Sequence, residues 1–204
     1  MYGLTDEDLR IRDTAREFVE TLMPSEVEAE LAGGMLPKEV LAEHRSRAIE
    51  LGLYATNMPT SVGGPGCSAL QQVLVQEQCG RVTNGLAWVM ATPPQWWPEV
   101  ATDYHRERWL LPSVRGEKHE AYAITEEFAG SDVSALKATA RRDGDEYVVD
   151  GTKWHVTSFN LADYVFVEAV LSEGEHAGDH VLLVVDLPWP GVEVVRTPQY
   201  SHYI

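Results

Sequence analysis

The sequence is short of basic residues. Lys and Arg total 16 against 32 Asp and Glu, for a formal net charge of -16 and a pI near 4.7. Such an acid excess leaves no cationic footprint for nucleic acid or for an anionic membrane surface. Cysteine is scarce as well. Cys67 and Cys79 suit neither a metal-ligand spacing nor a disulfide framework. The longest apolar runs, such as Val181 to Val185, are far too short to cross a bilayer. The start, Met1-Tyr2-Gly3-Leu4-Thr5-Asp6-Glu7, lacks the basic and apolar regions of a signal peptide. There is no internal repeat and no low-complexity tract. These absences point to a soluble cytoplasmic protein with reduced thiols. A phosphate-bearing ligand would have to be held by local dipoles and a few basic side chains, against the global field.

What is present is an ordinary globular balance: 204 residues, 44% hydrophobic and 24% charged, enough for one large or two small domains. Up to about Glu117 the periodicity is helical. Thr5 stands before Asp6, Glu7 and Asp8 as an N-cap followed by acids, and Ile11, Ala15, Phe18 and Leu22 share one face. Pro24 is expected to limit that helix. Pro37 opens a second helix, with Val40, Leu41, His44, Ala48 and Leu51 on its apolar face and Gly52 closing it. With no partner ligand near it in sequence, His44 reads as a packed histidine. Ser61 to Gly66 is glycine-rich but lacks both GxGxxG and a P-loop lysine, so it reads as a connector. Ser68 caps a third helix that Gly80 closes, Thr83 to Met90 reads as a fourth, and Thr102 to Leu111 as a last one ended by Pro112. Trp88, Met90, Trp96 and Trp97 admit two readings: packing between helices, or the lining of an apolar acyl pocket.

After Glu117 the pattern turns to strands. Leu136 to Arg141, Tyr147 to Val149, Lys153 to Thr157, Tyr164 to Val170, Val181 to Val185 and Val192 to Val195 are the expected strands, with Asp143-Gly144 a hairpin turn. The fold class expected is α+β multi-domain: an N-terminal helical bundle over 1–117, then a small antiparallel β-barrel or sandwich over 118–204, incomplete at its C-terminal end.

The stretch between the two regimes carries the chemistry. Tyr122 to Thr125 has the size and β-branching of a buried strand. Glu126 to Asp132 adds a loop in which Ala129 and Gly130 stand beside the Ser131 hydroxyl and the Asp132 carboxylate. Such a loop is either an ordinary turn after a strand or a place where backbone N–H groups approach an anionic ligand. Asp132 is suited to capping whatever turn follows.

Thr125, Glu126, Ala129, Gly130, Ser131 and Asp132 resemble the acyl-CoA dehydrogenase family pattern Thr-Glu-Pro-x-Ala-Gly-Ser-Asp, with Glu127 in place of the usual proline. Gly151-Thr152-Lys153-Trp154-His155-Val156-Thr157 is similar to the family's Gly-x-Lys-x-Trp-Ile-Thr. His155 occupies the place of the flavin-contacting tryptophan and Trp154 sits one position earlier. On a strand, neighbours point to opposite faces, so Trp154 replaces His155 only across a bulge. The resemblance implies FAD as cofactor, with Tyr122, Ile124, Thr125, Gly130, Ser131, His155, Val156 and Thr157 as its neighbours and Ser131 also reaching toward the CoA of the substrate. A surface-strand histidine is the competing reading of His155. The implied reaction is α,β-dehydrogenation of an acyl-CoA thioester, with an electron-transfer protein as acceptor and a homo-oligomer for the full-length protein. The family's proton-abstracting glutamate lies in a C-terminal helical domain that this chain is expected to lack. No residue here is assigned as catalytic, and the fragment alone is expected to be inactive. Acyl-CoA oxidase or flavin monooxygenase chemistry on the same domains, and a non-catalytic scaffold or partner subunit, are the alternatives.

Overall fold

The computed structural model describes residues 3–33, 36–82 and 84–198. It divides into two compact units, one of Met1–Glu117 with Val194–Ile204 and one of Lys118–Glu193. The expected helix start at Thr83 and the chain end at Tyr203 and Ile204 lie outside the described residues.

The helical unit opens with α1, Asp6–Leu31. Its start is a capping box: the Asp8 amide donates to Thr5 Oγ1 at 3.2 Å while the Thr5 amide donates to Asp8 Oδ2 at 3.0 Å. The helix runs through Pro24 to Leu31, so the expected stop is corrected. Phe18, Val19, Leu22 and Ala29 are all buried, and burial on both sides of the proline offsets the one hydrogen bond it removes. Next come α2, Lys38–Glu50, and α3, Ala69–Cys79, the latter capped reciprocally by Ser68 and Gln71. Then α4, Asn84–Ala87, passes into a 3-10 turn at Trp88–Met90, and α5 is Trp97–Val100. The last helical stretch is three short pieces: α6 (Asp103–His105), a π-turn (Arg106–Leu110) and α7 (Leu111–Val114). It does not stop at Pro112, which sits in the first turn of α7, where a proline has no amide to lose.

The segment from Ser61 to Gly66 is a connector packed back on Met58. The Gly66 amide donates to Met58 O at 3.0 Å, and a Cβ built on Gly64 would lie 2.3 Å from that same oxygen. Only glycine fits there.

The second unit is one open mixed sheet of five strands: β1 (Glu120–Ala123), β2 (Thr139–Asp143), β3 (Glu146–Asp150), β4 (Tyr164–Leu171) and β5 (His180–Asp186). The antiparallel barrel or sandwich is therefore corrected. Both β1 and β2 run parallel to β4, while β2–β3 and β4–β5 are antiparallel. The reason is connectivity. The β2–β3 hairpin and a long irregular segment intervene before β4, and so long a crossover permits parallel pairing. The β1–β4 register is pinned at its entrance by His119, whose amide donates to Asp163 Oδ2 at 2.8 Å while its carbonyl accepts from the Asp163 amide at 2.8 Å. Ala121, Ala123 and Val165 form a buried cluster on one face, with Val156, Phe159 and Ala162 packed against it. Ala138, Ala140 and Ala169 form a second cluster. The expected strand at 192–195 is not formed. It follows the turn at Gly191 and leaves Val192, Val194 and Val195 exposed.

Two outcomes follow from this packing. Gly64→Ala is expected to lower stability by about 3 kcal/mol in chemical denaturation, since the methyl meets main chain rather than a flexible side chain. Glu120 supplies the second. Burial pushes its carboxyl from 4.5 up to about 7. A raised carboxyl pKa means that the folded state holds the proton more tightly. The contribution of this carboxyl to stability is therefore fully present below pH 4.5 and is lost as pH rises through the folded value. The carboxyl keeps partial solvent access, so the effect is put at about 1–2 kcal/mol rather than the roughly 3 kcal/mol of the full displacement. Glu120→Gln should flatten this part of the pH–stability curve, and an unchanged slope would place its origin elsewhere.

Candidate functional site

The candidate site is built where β1 ends. β1 stops at Ala123, so Ile124 and Thr125 lie just past the strand, both half-buried. The chain then makes a tight loop, with the Glu126 amide donating to Ala129 O at 3.0 Å and the Ala129 amide returning to Glu126 O at 3.2 Å. This closes Glu127 and Phe128 into the tip and buries Ala129, leaving Gly130 and Ser131 exposed. A Cβ on Gly130 would meet open space. Asp132 caps the 3-10 turn Val133–Ala135, its Oδ1 accepting from the Ser134 amide at 3.1 Å.

One ion pair ties this loop to the rest of the sheet unit. Lys153 Nζ donates to Glu126 Oε1 at 2.7 Å, and both side chains are 10% exposed. Oε1 also accepts from the Ala138 amide at 2.9 Å, and Oε2 from the Lys137 amide at 2.7 Å. Lys153 Nζ donates in addition to Ile124 O at 3.0 Å. Burial alone would raise the Glu126 pKa, but Lys153 and the two amides outweigh it and hold the carboxyl below its ordinary value. Beside the pair, the Trp154 amide donates to Thr125 O at 2.8 Å. Gly151 makes the approach possible, since a Cβ there would sit 2.5 Å from that of Ala138.

The sequence pattern puts Thr125 and Thr157 each in a segment read as a strand. Neither is on a strand: Lys153 to Thr157 has no strand structure, and Thr157 lies in an exposed turn. The alternation that suggested a strand is broken at His155, whose φ is +52°, and again at Ser158, at +62°. The single-face argument separating Trp154 from His155 therefore does not apply. Both are exposed, with their rings edge-on at 6.0 Å. The two segments still meet, through Trp154 and Thr125. Val156 packs its side chain into the Ala121, Ala123 and Val165 cluster.

Tyr122 lies on the sheet face opposite that cluster, 40% exposed and 6.1 Å from the Phe166 ring. Its hydroxyl donates to Glu168 Oε2 at 3.3 Å. Burial, then the Glu168 carboxylate, push the phenol's pKa up. Sequence reasoning gave no role to Glu126, Lys153 or Glu168. The first two stood in the quoted motifs, and the third is a lone acid in an otherwise apolar strand, which is a readable signal.

The helical unit holds clefts of its own. One of about 370 Å³ includes Arg10, Cys67 and Gln71, and one of about 550 Å³ includes Phe18 and His44. No residue of the loop or of 151–157 lines either. His44 is held by Ser25, with Nε2 3.2 Å from the hydroxyl oxygen. Met90 and Trp97 are buried, while Trp88 and Trp96 are 39% and 38% exposed.

An open mixed sheet following a helical unit is the architecture of acyl-CoA dehydrogenase-like folds. Residues 5–117 match the family pattern described as acyl-CoA dehydrogenase, N-terminal domain, and residues 121–202 match acyl-CoA dehydrogenase, middle domain. The chain belongs to the acyl-CoA dehydrogenase family. It is 30% identical to the 3-(aryl)acrylate reductase of Clostridium sporogenes, over 92% of this chain and 50% of that protein. Among solved structures it resembles butyryl-CoA dehydrogenase from Megasphaera elsdenii, with a TM-score of 0.76 and 25% identity over 94% of this chain and 51% of that one. It also resembles an acyl-CoA dehydrogenase from Bacillus anthracis complexed with FAD, with a TM-score of 0.76 and 26% identity over 94% and 32%. The chain spans about half the length of the curated relatives it matches.

The ion pair predicts its own test. Lys153→Met leaves a buried carboxylate without its cation and should cost about 3 kcal/mol. Combining it with Glu126→Gln should cost less than the sum of the two single changes, since both act on one interaction. Because the Glu126 pKa is lowered on folding, the pair's contribution is present above pH 4.5 and is lost as pH falls through the folded value. Urea denaturation of the four proteins at pH 7 and pH 4 measures both effects. Additive losses at pH 7 would mean that the residues do not depend on each other.

Proposed function

We propose that this chain supplies the helical and middle domains of a FAD-dependent acyl-CoA dehydrogenase-like oxidoreductase acting on acyl-CoA thioesters. The observation that carries the reading is the junction of Thr125 with Trp154, locked by Lys153 and Glu126. It brings the two motif segments side by side. The donor set fits a flavin. The hydroxyls of Thr125, Ser131 and Thr157 make no side-chain hydrogen bond to other described residues, and Gly130 leaves open space. FAD, when bound, supplies a two-electron acceptor for hydride from the substrate. The chain's own part is positioning. Thr125 and Thr157 present hydroxyl donors, Val156 its main chain, and Tyr122 and His155 flat rings. Donors already fixed in place need little reorganisation when negative charge develops. Ser131, exposed beside Gly130, is the proposed contact to the CoA portion of the substrate.

No carboxylate of this chain is assigned to remove a substrate proton. Glu126 in particular is held ionised by Lys153, with its lone pairs in use. An electron-transfer protein is the proposed acceptor. A second reading, reduction of an unsaturated acyl substrate, is favoured by the likeness to a 3-(aryl)acrylate reductase. It uses the same flavin cradle with electrons flowing the other way.

Titration of FAD with the purified 204 residues, followed by flavin fluorescence, is the test. Binding is expected, and Thr125→Val and Thr157→Val should each weaken it by about two- to tenfold, the worth of one hydrogen bond. Anaerobic addition of acyl-CoA thioesters should leave the 450 nm absorbance unbleached, because a missing general base costs on the order of 10²–10⁴-fold. Absence of FAD binding would sink the reading. Rapid bleaching would show that a base lies within these residues.

A further inference from the structure

Glu168 is out of place in its strand. β4 reads Tyr-Val-Phe-Val-Glu-Ala-Val-Leu, and its one carboxylate is only 14% exposed. A half-dehydrated acid in a sheet needs partners. It has one at each oxygen: the Tyr122 hydroxyl donates to Oε2 at 3.3 Å, and His180 Nδ1 lies 2.9 Å from Oε1. Tyr122, Glu168 and His180 stand on β1, β4 and β5. The three side chains form a hydrogen-bonded row across three adjacent strands, ending on the exposed Tyr122 ring.

That ring is the start of the proposed flavin cradle. The far end of the same short run is anchored too, since Lys153 Nζ holds Ile124 O at 3.0 Å. The segment from Tyr122 to Ile124 is thus clamped twice, at a side chain and at a main-chain carbonyl. Without Glu168 the Tyr122 side chain would lose its directional bond and keep its tilted contact with Phe166, which restrains a ring less than a directional bond does.

We propose that Glu168, steadied by His180, is a positioning residue that fixes the Tyr122 ring for packing against the conjugated ring system of the cofactor. The inference rests on the proposed FAD reading. It adds to it a residue that does not itself touch the ligand. A competing role for the row is purely mechanical, tying the β5 edge to the sheet with no bearing on Tyr122.

A double-substitution cycle on the whole chain separates these. FAD dissociation constants are measured by flavin fluorescence for the unaltered chain, Tyr122→Phe, Glu168→Leu and the pair, with thermal melting by circular dichroism as the check on folding. Glu168→Leu alone should weaken FAD about two- to tenfold. In the Tyr122→Phe background the same change should add less than about twofold, because the bond it removes is already gone. Glu168→Gln, which keeps an acceptor of the same shape, should restore near-original affinity, and it serves if the leucine variant does not fold. Equal losses in both backgrounds, or loss of affinity in Glu168→Gln, would overturn the positioning role while leaving FAD binding intact. A chain that binds no FAD would overturn the parent reading and this one together.

Discussion

The sheet unit depends on one buried contact, the pairing of Lys153 with Glu126. Three segments converge on it. Glu126 belongs to the loop after β1, Lys137 and Ala138 lead into β2, Lys153 follows β3, and Ile124 lends its carbonyl. None of these segments is regular strand at the point of contact. Secondary structure therefore does not hold them together, and charge-assisted hydrogen bonds do. The geometry answers the usual objection to buried ion pairs. Desolvating two charges costs several kcal/mol each, and their mutual attraction recovers this only when the remaining lone pairs and protons are also satisfied. Here the carboxylate accepts three hydrogen bonds and the ammonium donates two. Apolar replacements of similar size could match the stability. They could not fix two main-chain amides and a carbonyl in one place.

Glycine is what lets the charges meet. Gly151 lies against Ala138, whose amide is one of the donors to Glu126. Without a side chain there, the chain leaving the hairpin passes close enough for Lys153 to reach inward. The small clusters of Ala121, Ala123, Ala138, Ala140 and Ala169 serve the same end. Alanines on the inner face let irregular backbone lie close to the sheet, where larger residues would hold it off.

Much of this was legible in the sequence, and the failures have physical causes. Capping residues were read correctly at Thr5 and Ser68 because a cap is a local hydrogen bond between side chain and near backbone. The β2–β3 hairpin was read from Asp143-Gly144 for the same reason. Pro24 misled because the cost of a proline is local while the burial that overrides it is tertiary. Strand direction was invisible. Alternation marks a strand but says nothing of which neighbour it meets, and the parallel pairing of β1 and β2 with β4 is a long-range fact. At the candidate site the two motifs were found by pattern, whereas the geometry between them was not. His155 alternates in sequence like a strand residue, and only its left-handed φ of +52° shows that the run has turned. The salt bridge joins residues 27 apart in sequence, with nothing in either local pattern to pair them.

The charge balance bears on how such a site meets an anionic ligand. The chain carries -16 overall, and the cation nearest the two motifs, Lys153, is already committed to Glu126 and Ile124. Lys137 offers a second ammonium near the loop, 5.6 Å above the Phe128 ring, with Phe128 itself 74% exposed. Beside the exposed acids Glu127 and Asp132, what the candidate site turns outward is neutral: the hydroxyls of Ser131 and Thr157 and the backbone around Gly130. Neutral donors cost less to dehydrate than charged ones, and they favour charge that develops in place over charge that arrives. This suits a cofactor that gains negative charge during reaction better than it suits tight capture of a polyanion. Affinity for the phosphate-bearing parts of a ligand would then have to come from contacts outside the loop, with the loop and the segment after β3 proposed to orient a bound ring.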